Sequence, residues 1–447
     1  MNQVLSTPEE ITQKVANARQ AQSQWGKRTA THRAGVLQSL FDVFAANKEK
    51  LGQFTTETMG MPVSIRGLLD IDAGLDYFRW YLEHGPKQLE PEVITNDKTG
   101  KHVVYYEPTG VAAVLVPWNF PFCNFVWGVI PNLLVGNTVV FKHSAVCSKA
   151  SAYYEELAKS SLLPKDALQF VYGDGDIAGE TLMQQDVDLI SFTGSTDVGL
   201  HVADIAGKRL CKILLELGGS APGVIFADAD IDVAIESIYL NRYTNSGQAC
   251  DGLKRLIVEQ SIVDKVVVKL KTLLETKHTG DPTDLTTDFG PLVSEKQLQR
   301  IEDQVTNAVA RGARVITGGK RPENISLPCF LPTVLTNVAP SMHVWQEEVF
   351  GPVLPVVTFS SEEEAIKLAN DTKYGLGSYV FTKDETRALR VARSIQSGMV
   401  SINGASYFYP SDPFGGVKMS GLGREHGKWG LQELCQIKVI ASPSVNL

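Results

Sequence analysis

Apolar positions along the chain fall into two textures. Over residues 8–58, Ile11, Val15 and Ala18, then Leu37, Leu40, Phe41 and Phe44, recur at helical spacing, which predicts helices that bury one face. From residue 102 the pattern changes to short apolar runs closed by turn residues. VVYYEP ends at Pro108, GVAAVLVPWN ends in a Trp/Pro turn, and after a helical stretch NTVVFKHS, LQFVYG, DLISFTGS and LCKILLELGG follow. Short apolar strands alternating with helix-length segments predict βαβ units and a mainly parallel sheet.

At Gly218-Gly219-Ser220-Ala221-Pro222 the chain reaches a hinge, and a second series begins. It runs through PGVIFAD, a helix over 233–242, the strand LKRLIVEQ, and helices near 262–275 and 294–310. Strands are expected near 313–317, 352–359, 376–382 and 398–402. The closing segment LQELCQIKVIASP predicts a terminal strand. With VVYYEP it lies outside both series, and such strands often pair across a subunit interface. The expected class is therefore α/β, two doubly wound, mainly parallel sheets. The expected boundaries are 1–222 with 403–430 returning to it, 223–402, and the strands 101–108 and 431–447.

Length and composition narrow the function classes. A chain of 447 residues exceeds what one hydrophobic core usually supports. A formal net charge of −8 argues against nucleic acid as partner, which calls for a concentrated basic surface. Six scattered cysteines (Cys123, Cys147, Cys211, Cys250, Cys329, Cys435) form no CxxC pair and no zinc-spaced cluster, so no metal and no disulfide framework are expected. The polar, acidic N-terminus carries no signal-peptide pattern, and no apolar run approaches the ~20 residues of a membrane helix. A cytoplasmic enzyme acting on a small molecule is expected.

Candidate chemistry clusters at strand ends. Cys250, in NSGQACDG, places a thiol in a loop between rigid elements, as suits a nucleophile. Glu216 ends the apolar strand KILLEL just before a glycine pair, where desolvation raises a carboxyl pKa toward values useful in a general base. Asn119, in PWNFPF, offers a side-chain amide in a rigid turn, a candidate oxyanion donor. Lys142 ends the strand TVVFK at the carboxyl edge of the sheet. In SFTGSTDVG, Gly194 and Ser195 lie where a strand meets a helix, with Ser195 as the expected cap and free N–H groups suited to a phosphate. GDGDIAG at 173–179 has its third glycine one residue late for the dinucleotide fingerprint and is expected to be a loop.

PWNFPF, the FK strand end, FTGS, LELGGSAP, GQAC, EEVFGPV and PFGGVKMSGLGRE occur in the order that resembles the aldehyde dehydrogenase superfamily, from about residue 5 to residue 440. The resemblance implies a cofactor domain, a catalytic domain after LELGG, and a small β oligomerisation element, in a homodimer or homotetramer. It places the nucleophile on Cys250, the general base on Glu216, and the oxyanion donors on the Asn119 side chain and the Cys250 backbone N–H. It implies NAD or NADP as cofactor. Lys142 would meet the adenosine ribose, Ser195 the pyrophosphate, Glu348 the nicotinamide ribose and Phe350 the nicotinamide, with Trp118, Ser144, Gly194 and Leu217 alongside.

The aldehyde would thus be oxidised to an acid through a thiohemiacetal and a thioester. Passage of the acyl group to CoA instead of water is the alternative. Where NAD-preferring members carry Glu three residues after the lysine, this chain has Ala145, so NADP is tolerated or preferred; His143 and Lys149 are nearby in sequence. The tunnel positions fall on Phe120, Asn124, Trp127, Phe408 and Phe414, suiting an apolar or aromatic aldehyde. LKR, ELGGS, FKH and the short N-terminus resemble a compact subgroup that includes succinate-semialdehyde dehydrogenases. That substrate calls for a cation at its distal carboxylate, and only the remote Arg242 and Lys254 offer one.

Overall fold

The computed structural model describes residues 5–98 and 100–443. The outer ends of the expected 1–222 and 431–447 segments, residues 1–4 and 444–447, lie outside the described residues.

The first helical region divides into Pro8–Trp25, Ala30–Ala46 and Lys48–Met59. Thr7 opens the first helix with a capping box completed by Glu10, which satisfies two otherwise orphaned N–H groups. The strands, in chain order, are β1 (Glu92–Asp97), β2 (Gly100–Pro108), β3 (Val111–Val116), β4 (Thr138–His143), β5 (Leu168–Val171), β6 (Leu189–Thr193) and β7 (Lys212–Glu216). Then come β8 (Ala221–Ile225), β9 (Leu253–Glu259), β10 (Arg314–Thr317), β11 (Thr333–Thr336), β12 (Val353–Phe359), β13 (Tyr379–Phe381), β14 (Ser401–Ile402), β15 (Gly421–Leu422) and β16 (Cys435–Ser442).

They build three sheets. The first has the order β15-β7-β6-β3-β4-β5, parallel except for β15. The second has the order β10-β11-β12-β9-β8-β13-β14, parallel except where β10 meets β11. The third is the antiparallel trio β1-β2-β16. Every residue of β3 and β4 is buried, which is why these strands read as unbroken apolar runs. The fold is α/β.

Several local expectations are corrected. The chain leaves the first sheet after Glu216 and enters the second at Ala221, so the crossing lies at 217–220 and Ala221 and Pro222 already belong to β8. GDGDIAG is not a plain loop: Gly175–Gly179 makes a wide helical turn that runs into the helix Glu180–Gln184. The closing segment splits. A short helix, Gly427–Glu433, takes its first residues, and the strand starts only at Cys435. The strands β1 and β11 were not anticipated, because alternation in EVITND and TVLT is too short to stand out.

One buried helix, Pro121–Val135, positions much of the site. All its residues except Trp127 are buried, and its ends are closed by charges from far along the chain. Asp70 accepts from the backbone N–H groups of Phe122 (3.1 Å) and Cys123 (2.9 Å), and from the Thr55 hydroxyl (2.6 Å). At the other end Arg33 donates to the carbonyls of Leu134 (2.7 Å) and Val135 (3.1 Å). An anion at the N-terminus and a cation at the C-terminus both complement the helix dipole. Burial pushes the Asp70 carboxyl up to about 6, against the pull of its hydrogen bonds.

Asp70→Ala strands two N–H groups in the core and leaves the Thr55 hydroxyl only the Leu51 carbonyl at 3.4 Å. It is expected to cost about 1–3 kcal/mol of stability, whereas Asp70→Asn, which keeps an acceptor and sheds the buried charge, should cost less than half as much. Thermal unfolding of the two variants beside wild type checks this, and an unchanged melting temperature for Asp70→Ala would remove the cap from the account.

Candidate active site

The carboxyl ends of β3, β4, β6 and β7 face the loops of the second sheet, the usual place for a ligand crevice in a parallel sheet. Past β3, the turn carrying Trp118, Asn119 and Phe120 leads into the helix Pro121–Val135. Asn119 is held from three sides. Its Nδ2 donates to the Gln248 carbonyl (3.1 Å), its Oδ1 accepts from Asn124 Nδ2 (3.3 Å), and its carbonyl accepts from Asn245 Nδ2 (2.9 Å). Because Nδ2 carries two hydrogens, one remains for a ligand oxygen. Asn124 is buried on the first turn of that helix and supports Asn119, next to the position expected for it on the substrate wall.

Cys250 follows a turn in which Asn245, Ser246 and Gly247 all have positive φ (54°, 51° and 73°). Two consecutive non-glycine residues in that region are uncommon and strained, and such strain persists only where neighbours over-determine the backbone. Here they do. The Ser246 hydroxyl donates to the Gly290 carbonyl (2.8 Å), and buried Gln248 accepts from Val293 N–H (2.9 Å) while donating to the Asn245 carbonyl (3.2 Å). At Gly247 an added Cβ would lie 2.5 Å from the Gly351 carbonyl oxygen. The half-buried Cys250 packs on Leu376, Met399 and Phe414. Burial first, and then the Asp251 carboxylate, push its thiol well above the ordinary range, with Lys254 pulling the other way.

Glu216, at the end of β7, is 3% exposed, and neither carboxyl oxygen has a hydrogen-bond partner among the described residues. Burial, with a second buried carboxyl at Glu425, holds its pKa well above the carboxylate range, while Arg424 opposes this. Glu425 is itself pushed up to about 7 by burial. A desolvated, unpartnered carboxyl is fit to take a proton.

The residues expected to meet the cofactor lie at or just past the carboxyl ends of β3, β4, β6 and β7 and in the segment before β12. Lys142 is buried at the end of β4, with Nζ near the His143 carbonyl (3.3 Å), and Ser144 follows it. Ser195 caps the helix Thr196–Gly207, accepting from Val198 N–H. Leu217 packs beneath that helix at Gly199, where an added Cβ would meet it at 2.3 Å. Across the crevice Trp118 and Phe350 meet edge to face at 5.6 Å, and Glu348 accepts from Gly219 N–H (3.2 Å). A lysine, a capped helix N-terminus, a carboxylate suited to a diol and two aromatic faces fit the parts of a dinucleotide. His143 is excluded as a phosphate partner, since burial lowers its pKa to about 3 and leaves it neutral.

Rings form a continuous wall beside Cys250. Tyr379, Tyr407, Phe408, Phe414, His426 and Trp127 follow one another at centroid spacings of 5.9, 5.3, 5.6, 5.7 and 5.3 Å. Tyr407 donates to buried Asp251 (3.2 Å). Phe408, Phe414 and Trp127 are thus brought together, whereas Asp251, Tyr407, Tyr379, His426 and Glu425 were missed. His426 has φ +65° and no signal in the sequence announces it. The cations considered for a distal carboxylate are engaged elsewhere: Arg242 bonds the Val349 and Gly351 carbonyls, and Lys254 is tied to Glu348.

The aldehyde dehydrogenase family model matches residues 2–440. This chain belongs to the aldehyde dehydrogenase family. Among curated relatives of this aldehyde dehydrogenase, peroxisomal aminoaldehyde dehydrogenase 1 of Pisum sativum is 37% identical, over 97% of this chain and 88% of its own. Succinate-semialdehyde dehydrogenase [NADP(+)] of Deinococcus radiodurans is also 37% identical, over 96% of this chain and 90% of its own. Among solved structures, betaine aldehyde dehydrogenase of Staphylococcus aureus in complex with NAD+ superposes with TM-score 0.93 at 34% identity, covering 98% of this chain and 88% of that one. An NAD-dependent aldehyde dehydrogenase of Sinorhizobium meliloti gives TM-score 0.94 at 33% identity, with coverage of 98% and 88%.

With the Glu216 carboxyl held well above the ordinary carboxylate range, its ionised fraction grows as pH rises through that raised pKa. If Glu216 is the base, turnover is expected to climb with pH above the ordinary carboxylate range, and Glu425→Gln, which removes a neighbouring negative charge, should move that limb to lower pH. The pH profile of kcat for wild type, Glu216→Gln and Glu425→Gln checks this; a wild-type limb centred in the ordinary carboxylate range would contradict it.

Proposed function

We propose that this protein is an NAD(P)-dependent dehydrogenase that oxidises an uncharged, apolar or aromatic aldehyde to its carboxylic acid on Cys250. The observation that carries the reading is the convergence of a thiol, an oriented amide and an unpartnered buried carboxyl at the meeting of the two sheets. Cys250 Sγ attacks the aldehyde carbon, its proton leaving to a base or to water. The Asn119 amide and the Cys250 backbone N–H meet the developing oxyanion, each such donor commonly contributing roughly 3 kcal/mol. The nicotinamide, when bound, accepts the hydride. Glu216 takes a proton from the water that hydrolyses the thioester, and acid is released. A buried base favours water as acyl acceptor, since transfer to a thiol such as CoA has no water to activate.

Lys142, Ser195, Trp118, Glu348 and Phe350 hold the cofactor, with Ser144, Gly194 and Leu217 shaping its seat. Ala145, half-buried just past β4, leaves the adenosine 2′ position without a carboxylate. With His143 neutral, exposed Lys149 is the remaining cation in that stretch, and NADP is accepted at least as well as NAD. The ring wall, with Arg242 and Lys254 engaged elsewhere, supports an aldehyde lacking a distal carboxylate over succinate semialdehyde. Val93, Ile94, Ile437, Val439 and Ile440 are exposed on the third sheet, which supports that sheet as the contact of a homodimer or homotetramer. Among the described residues no helix is long and apolar enough to cross a membrane. Six free thiols suit the reducing cytoplasm.

Reduced-nicotinamide absorbance across a panel of aliphatic, aromatic, amino and carboxylated aldehydes, with each cofactor, tests this reading; strict selectivity for a carboxylated aldehyde would overturn the substrate assignment. Ala145→Glu adds a ribose hydrogen bond and repels a 2′-phosphate. It should move the ratio of kcat/KM toward NAD by roughly tenfold or more at fixed ionic strength.

A further inference from the structure

Lys254, the second residue of β9, is 1% exposed and points its ammonium into the seam between the sheets. Nζ donates to the Cys250 carbonyl (2.8 Å) and the Gly219 carbonyl (2.9 Å), and pairs with the Glu348 carboxylate. An ammonium has three donors, and all three are used. They reach the nucleophile's own backbone, the crossing between the sheets, and the loop that presents Glu348. Glu348 Oε1 also accepts from Gly219 N–H. At Gly219 an added Cβ would lie 2.5 Å from the Cys250 carbonyl oxygen, so the three segments meet with no room for a side chain between them.

Burying a lysine this deeply costs several kcal/mol unless it is paired. An apolar residue would fill the position without that cost, but it would take a donor from two carbonyls and the cation from the Glu348 carboxylate. Charge is the second consequence. Of the charged groups that weigh most on the Cys250 thiol, Asp251, Lys254, Glu348 and Glu216, Lys254 is the one cation.

We infer that Lys254 is a positioning residue for catalysis, locking the Cys250 backbone to the Glu348 seat and making the thiolate attainable among three carboxyl groups. The inference rests on Cys250 being the nucleophile. In this arrangement an engaged Glu348 and an aligned Cys250 go together, because one ammonium holds both.

Alkylation of Cys250 by iodoacetamide, followed on the Cys250 peptide in the nucleotide-free enzyme across pH, reads the thiol directly. Lys254→Met is expected to raise the midpoint of that profile by about one pH unit or more, and to lower kcat by roughly tenfold while the aldehyde KM changes little. Because Lys254→Met leaves the half-buried Glu348 without its cation, the double variant Lys254→Met/Glu348→Gln keeps the test open if the single variant misfolds. The raised midpoint should persist in it. A wild-type alkylation profile and kcat in Lys254→Met, with only a lower melting temperature, would reduce Lys254 to a structural role. A double variant with the wild-type midpoint would mean that Lys254 merely neutralises Glu348. Failure of the nucleophile assignment looks different, since Cys250→Ala would then turn over normally whatever the Lys254 variants do.

Discussion

The contact between the Cys250 carbonyl and Gly219 fixes how the two sheets meet, and the site depends on it. Residues 217–220 carry the chain from one sheet to the next, so any shift there moves Glu216 on one side and the nucleophile turn on the other. Glycine leaves the space, the Lys254 ammonium fills the polar requirement, and strained residues 245–247 deliver the backbone to that spot. Asn119 closes the arrangement through its bond to the Gln248 carbonyl. It rests in turn on a buried helix whose two ends are capped by Asp70 and Arg33. Precision at the site thus descends from interactions that are mostly backbone-directed, the kind that hold geometry to fractions of an ångström.

Electrostatics set the resting state. Burial pushes both the Cys250 thiol and the Glu216 carboxyl toward their neutral forms. A reactive thiol that stays protonated until the crevice is filled is protected from oxidation and alkylation. The same burial strengthens every donor aimed at the oxyanion, since charge is screened less away from water. One environment therefore holds the Cys250 thiol neutral and strengthens the polar contacts around it.

Much of this was legible in the sequence. The βαβ series follows from unbroken apolar strands such as VAAVLV and TVVFKH, fully buried as their composition demands. Ser195 as a helix cap, and Glu216 as a desolvated strand-end carboxyl, follow from local rules. What escaped depends on contacts distant in sequence. The hold of Asn124 on Asn119 is visible only once the helix is folded back. Asp70 caps a helix 51 residues downstream, from Asp70 to Pro121, and no pattern around it says so. Lys254 was weighed only as a remote cation for substrate, since nothing local reveals that its ammonium closes on Gly219, Cys250 and Glu348. The helix Gly427–Glu433 broke a segment that reads as one strand, because the apolar residues of LQEL pack inward as a helix against the first core.

The central claim is that chemistry passes through an acyl group on Cys250 released with the help of Glu216. Mixing Glu216→Gln enzyme with cofactor and an aldehyde, quenching in acid and mapping the peptides by mass tests it most directly. The account predicts one equivalent of reduced cofactor formed in a burst, followed by slow turnover, with the acyl mass located on Cys250. An acyl-free Cys250 peptide, or an adduct on another cysteine, would contradict it.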